Sequence, residues 1–128
     1  MKIAVLIARI LLGLIFLVFG LNIYFHFIPA PPPPGDAGAM AGLMFQHGWF
    51  AFFGILYIIA AVLLLVGRFV PLALVLLGPI IVNILLFHAT LAPAGIGPGL
   101  LCAVLEIFLI YAYRGAFAHF FAPHHEFR

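Results

Sequence analysis

The chain has 128 residues, of which 68% are hydrophobic and 6% charged, with a formal net charge of +2 and one cysteine. Soluble domains are about 45–50% apolar and about 25% charged. A mean hydropathy of +1.38 therefore leaves too few polar side chains to cover a water-facing surface and indicates a single-domain integral membrane protein. Five cations and three anions are too sparse for a nucleic-acid footprint, and the lone Cys102 excludes an intrachain disulfide or a Cys-x-x-Cys redox pair.

Gly/Pro punctuation cuts the chain into four apolar segments, residues 3–28, 46–66, 71–91 and 99–121. Each is near the ~20 residues that a helix needs to cross about 30 Å of hydrocarbon. The expected fold is an all-α, four-transmembrane-helix antiparallel bundle. The first segment reads as a retained span, because its apolar run exceeds the ~7–15 residues of a signal peptide and Pro31 to Pro34 follow where a small-residue cleavage site would lie. Within it, Arg9 is placed to snorkel back to headgroups. Gly13 and Gly20, seven apart, mark a face for close helix approach. Asn22 falls about 9 Å and His26 about 3 Å below the outer boundary, four residues apart and so on one face. Residues 29–45 form the Pro-rich outer loop: PAPPPPGDAGA (29–39) is expected to run as an extended polyproline spacer into a Gly/Ala-rich bend.

Gln46 and His47 open the second segment at its outer mouth, followed by Trp49 in the aromatic belt and a small-residue stripe of Gly54, Tyr57 and Ala61. Gly67-Arg68-Phe69-Val70 is a tight link that makes the second and third helices antiparallel neighbours. In the third, Pro79 removes the hydrogen bond to the Val75 carbonyl and predicts a bend. Beyond it Asn83 lies about 12 Å deep and His88 about 4–5 Å deep, roughly 140° apart around the helix, so that they address different neighbours. APAGIGP (92–98) stops that helix and restarts the chain. The fourth segment carries Cys102, Glu106 and Tyr113 on one stripe, with Glu106 about 10 Å below the outer surface. Tyr111, Tyr113, Phe117, Phe120 and Phe121 form an inner aromatic belt. Lys2, Arg9, Arg68, Arg114 and Arg128 all fall on one side of this arrangement, while the other side has Asp36 and no cation, so both termini are expected in the cytoplasm.

ARILLGLIFLVFGLN (8–22), GRFVPLAL (67–74), VNILLFH (82–88) and YAYRGAF (111–117) together resemble the DoxX-like family of small four-helix bacterial membrane proteins. The resemblance spans all four segments. It implies an inner-membrane bundle, sometimes associated with quinone-linked or thiol-redox systems, without a settled set of catalytic residues. Similar sequences often carry a Lys and a Glu one turn apart where this chain has Gly54 and Tyr57.

Two functions from different classes follow. One is an accessory or scaffold subunit, without catalytic activity of its own, packed against other membrane subunits or further copies of itself in lipid. The alternative is a redox-associated component that binds quinone or lipid in an outer-leaflet pocket of Asn22, His26, Asn83, His88 and Glu106. There Glu106 would act as acceptor or proton carrier and the asparagines would orient the ligand. A purely structural role for the same polar groups is interhelical hydrogen bonding, at about 0.6–2 kcal/mol per contact. Transport is a weaker third option, since no charged path leads from Glu106 to the cytoplasmic side. His26, His47, His88 and Glu106 are metal-ligand types in the same outer half, and His119, His124, His125 and Glu126 form a second such group in the tail.

Overall fold

A computed structural model of the chain describes residues 1–29, 31–124 and 126, and all regular structure in it is helical. The helices are α1 (Lys2–Phe25), α2 (Gly35–Gln46), α3 (Trp49–Val66), α4 (Val70–Leu91), α5 (Gly97–Ala112) and α6 (Arg114–Phe117). A 3-10 turn (Pro93–Gly95) joins α4 to α5, and a second (Ala118–Phe121) extends α6. Three helices, α1, α3 and α4, are long and apolar enough to cross a membrane, and a fourth span is made if α5 and its bent continuation are taken together.

The long helices form a closed ring in the order α1, α3, α4, α5, with α5 returning to α1. The α1–α3 contact is the most extensive, and small residues explain why. A Cβ at Gly13 would meet Leu65 and the Ala61 carbonyl; one at Gly20 would meet Ile58 and Tyr57; one at Gly54 would enter the Tyr24 ring. These pairings also fix direction, because positions rising along α1 meet positions falling along α3. The two expected small-residue stripes thus pack against each other. Tyr24 donates its hydroxyl to the Ala51 carbonyl and pins this contact at the end where α1 finishes and α3 begins.

Side chains pack unevenly along the ring. The largest fully buried residues, Leu12, Leu64, Leu74, Leu77 and Leu109, come from the middle of α1, the end of α3, the start of α4 and the end of α5. They concentrate the core toward the end that holds the α3–α4 link. That link is short because Gly67, at φ +79, turns the chain left-handed while the Gly67 and Arg68 N–H groups both close on the Leu63 carbonyl. The Arg9 guanidinium lies against Gly67, at the negative end of the α3 dipole. Lys2, Arg9, Arg68 and Arg114 gather at this end of the ring by connectivity, and Asp36 lies at the other. Arg128 falls outside the described residues.

Four expected boundaries are corrected. The first helix stops at Phe25, not residue 28, because His26 adopts a left-handed conformation (φ 53) with its N–H on the Asn22 carbonyl. Pro29 also disfavours helical backbone at Ile28. The loop 29–45 is not structureless. Pro34 is extended as expected, at φ −75 and ψ 161, but Asp36 sits in the first turn of a helix built on Ala, Met and Leu, all strong helix formers. This helix, α2, leans on α3 and α4. The segment expected to begin at 46 begins at Trp49, because Gly48 takes φ +84 and separates α2 from α3. Finally, the last segment does not run straight from 99 to 121: α5 ends at Ala112, and Arg114–Phe121 turns away by 78°. Arg114 accounts for the break by stacking 4.4 Å from the Tyr111 ring centroid and donating to the Tyr111 carbonyl at 2.9 Å, next to Gly115, a poor helix former.

Gly54→Val should force the Tyr24 ring out and part α1 from α3, lowering stability in detergent by about 1–3 kcal/mol. Gly42→Ala, where a Cβ meets nothing within 4 Å, should be neutral or stabilising by up to about 1 kcal/mol. Thermal unfolding of the two variants checks the contrast.

Candidate functional site

Toward the end away from the leucine core, the ring opens into a cavity of about 440 Å³ whose walls come from all four long helices. Phe16 and Phe19 of α1, Tyr57 of α3, Ile84 of α4 and Gly99 of α5 supply much of the apolar wall. Phe16 meets Tyr57 edge to face, ring centroids 5.0 Å apart, and holds it in place. Gly99 is buried and lets α5 approach Ile84 and Leu85 of α4.

Four polar groups reach this space: Asn22, Tyr57, His88 and Cys102. Asn22 stands in the last turn of α1, where its Oδ1 accepts the Ile28 N–H at 2.8 Å. That bond caps the helix end and leaves the amide NH₂ as a donor. The His88 Nδ1 lies 3.3 Å from the Ala92 carbonyl, and the ring rests over Gly95, where a Cβ would crowd it at 3.1 Å. With Nδ1–H donated to that carbonyl, Nε2 is left as an acceptor.

Glu106 is one turn beyond Cys102 on the inner stripe of α5 and is only 4% exposed. Both carboxyl oxygens are buried without a hydrogen-bond partner among the described residues. Across the bundle Glu106 faces Gly78 of α4, where a Cβ would stand 3.6 Å from Oε2. A buried polar group without a partner costs about 1–3 kcal/mol, so bundle stability does not explain this carboxyl. The interhelical hydrogen bond expected of it is not formed.

The five residues expected to share one pocket are distributed over three places. Asn22 and His88 line the same cavity, with Glu106 beneath its Cys102 wall. Asn83 is exposed and opens on a second cavity of about 430 Å³ between α2, α3 and α4, lined also by Met40, Met44, Trp49 and Pro79. It is a groove residue, because the face of α4 that it shares with Pro79 turns away from the ring. Tyr57 lines both cavities and separates them. His26 leaves the α1 helix and packs its ring 5.6 Å from that of Phe45 on α2, so the expected face with Asn22 is broken. The metal set of His26, His47, His88 and Glu106 is likewise not assembled, and among the described residues no three His, Cys, Asp or Glu side chains are grouped to hold a metal. In the tail, His125 lies outside the described residues.

Tyr57 and Cys102 join the site although their spacing suggested packing alone. The available signal was that the Cys102 and Glu106 stripe of α5 faces the Tyr57 stripe of α3 across a four-helix ring. No protein-family model, curated protein or solved structure matches the chain.

Replacing Glu106 by Leu should leave stability unchanged or raise it, since an apolar side chain of similar size removes an orphaned polar group. Chemical unfolding in detergent measures this. A loss above about 2 kcal/mol would show that the carboxyl does hold a stabilising partner.

Proposed function

We propose that the chain is an inner-membrane four-helix bundle of the DoxX-like kind and that it holds an amphiphile, a quinone or a lipid, in the cavity between α1, α3, α4 and α5. The observation that carries this reading is the cavity itself: apolar walls from four helices, four polar groups set among them, and an orphaned carboxyl one turn beyond Cys102. Sites for small amphiphiles have this composition. A headgroup carbonyl takes the Asn22 amide or the Tyr57 hydroxyl, a hydroxyl finds the His88 Nε2, and the isoprenoid or acyl chain lies along Phe16, Phe19 and Ile84. A polar head that passes Cys102 supplies the partner that Glu106 lacks.

In this reading α1, α3, α4 and α5 cross the bilayer with both termini in the cytoplasm. Supporting it, the cations of α1, the α3–α4 link and the α5 end lie together, as cytoplasmic ends do. The 16 residues of α5 rise only about 24 Å, less than about 30 Å of hydrocarbon. Arg114 and the aromatic Phe117, Phe120 and Phe121 then lie in the interface as the bent continuation, which accommodates a short span. The bundle is a binding subunit with no activity of its own, working beside other membrane subunits or copies of itself. The accessory role expected from the sequence is thereby kept and given a cargo.

On a Cys102→Ala background, Ala39→Cys should be labelled by an impermeant maleimide from the periplasm, and Arg68→Cys only after the membrane is permeabilised. The reverse pattern would overturn the orientation. For the cavity, the full chain in lipid nanodiscs is titrated with a short-chain ubiquinone analogue in competition with phospholipid. Tyr57→Phe and His88→Ala should each weaken binding about 3- to 10-fold, and Ile23→Trp at the cavity wall should weaken it by about tenfold or more, with helix content unchanged. Equal affinity across all three would remove the cavity from the binding reaction.

A further inference from the structure

The sequence contains three methionines, and the two beyond Met1 stand four residues apart on α2. His47 follows three residues later. At 100° per residue, Met40, Met44 and His47 fall within about 60° of one another on a single face. His47 keeps this register although it caps the helix, because its N–H still bonds to the Leu43 carbonyl at 3.0 Å. Gly48 then turns the chain at φ +84 and brings Trp49 back along the same face. Met40, Met44, His47 and Trp49, with Leu43, line one groove on the side of the ring that carries Asp36.

We propose that this groove is a binding site for a soft monovalent cation, copper(I) or silver(I), held by the thioethers of Met40 and Met44 and by an imidazole nitrogen of His47. The chemistry of the donors selects the ion. Thioether sulfur is a soft, neutral donor that favours copper(I), whereas magnesium, calcium and manganese take oxygen donors. Three neutral donors leave a monovalent ion with a net charge of only +1, a smaller desolvation burden than a divalent ion would carry beside Leu43 and Trp49. Thioethers need no deprotonation, so only the imidazole competes with protons for the metal. Methionine has three rotatable bonds and can bring its sulfur to the ion without moving the helix. Trp49 lines the same groove and supplies an aromatic neighbour for a bound cation. Met40, His47 and Trp49 are exposed and Met44 half-buried, which leaves a path for entry. This site is separate from the amphiphile cavity: none of its four residues lines that space.

The α2 helix gains a role from this. Among the described residues it is the one helix of eight or more residues that is both too short and too polar to be a span, and it follows directly on the prolines 31–34, the last of which is extended. The site therefore sits on a segment outside the four-helix ring.

The test uses the full chain in nanodiscs, titrated anaerobically with copper(I) against a chromophoric copper(I) chelator, and with silver(I) while Trp49 fluorescence is followed. Expected are one equivalent bound, quenching of Trp49, and no displacement by excess zinc(II). Met40→Leu and Met44→Leu are close in volume to the native residues and should each weaken binding by about tenfold or more, as should His47→Ala; Cys102→Ala should leave it unchanged. Wild-type affinity in the Met40→Leu/Met44→Leu double variant, or binding lost with Cys102→Ala, overturns the assignment. Helix content by circular dichroism keeps misfolding apart from loss of the site, and binding of the ubiquinone analogue should persist in the double variant.

Discussion

Gly13, Gly20 and Gly54 let α1 and α3 come into contact at side-chain range where any larger residue would hold them apart. In an apolar solvent, helices gain nothing from hiding hydrocarbon, so close packing and interhelical hydrogen bonds must supply the association. Both are present here. The glycines give the approach, and the Tyr24 hydroxyl on the Ala51 carbonyl fixes it where α1 ends and α3 begins. With this pair set, α4 follows α3 through the left-handed Gly67, and α5 closes the ring by approaching α4 at Gly99 and Gly78.

That arrangement also determines where space is left. The leucines that fill the ring cluster near the α3–α4 link, where a short connection holds the helices together. At the opposite end the connections are longer, and the inward residues include Asn22, His88 and Cys102 in place of leucine. The helices are not pressed together there, and a cavity remains. Glu106 lies near the transition from filled core to open cavity. A carboxyl with both oxygens buried and unpartnered among the described residues is expensive in such a place.

The four-helix cavity and the Met-His groove occupy different walls of the end that carries Asp36, with Tyr57 between the first cavity and the space that Met40 and Met44 share with Asn83. Neither feature depends on the other's residues. Together they give the Asp36 end an apolar space with a few polar groups and a thioether-imidazole groove, while the other end holds cations and tightly packed leucine. The polarity of the molecule along its axis is thus both electrostatic and steric.

The helical class and the apolar segments were legible in the sequence because hydropathy over about 20 residues depends on composition, not on neighbours. The tight Gly67-Arg68 link and the small-residue stripes were legible too, because glycine marks turns and close approach through its missing Cβ. The membership of the site was legible only in part. Asn22 and His88 share a cavity as expected, yet Asn83 faces another, since rotation about the α4 axis decides which wall a side chain joins and depth alone does not fix rotation. His26 was lost from the site by one left-handed residue, and the metal-type histidines were scattered because ligand type carries no information about convergence. The helix in the Pro-rich loop was hidden by the prolines before it, although Ala, Met and Leu after Asp36 favour it. By itself, then, the sequence determined which stretches are apolar helices, where they are linked and which end carries the cations. Only the tertiary structure decided which faces meet, because that depends on how four helices rotate against one another to fit glycine against bulk, and a cavity exists only where that fit is incomplete.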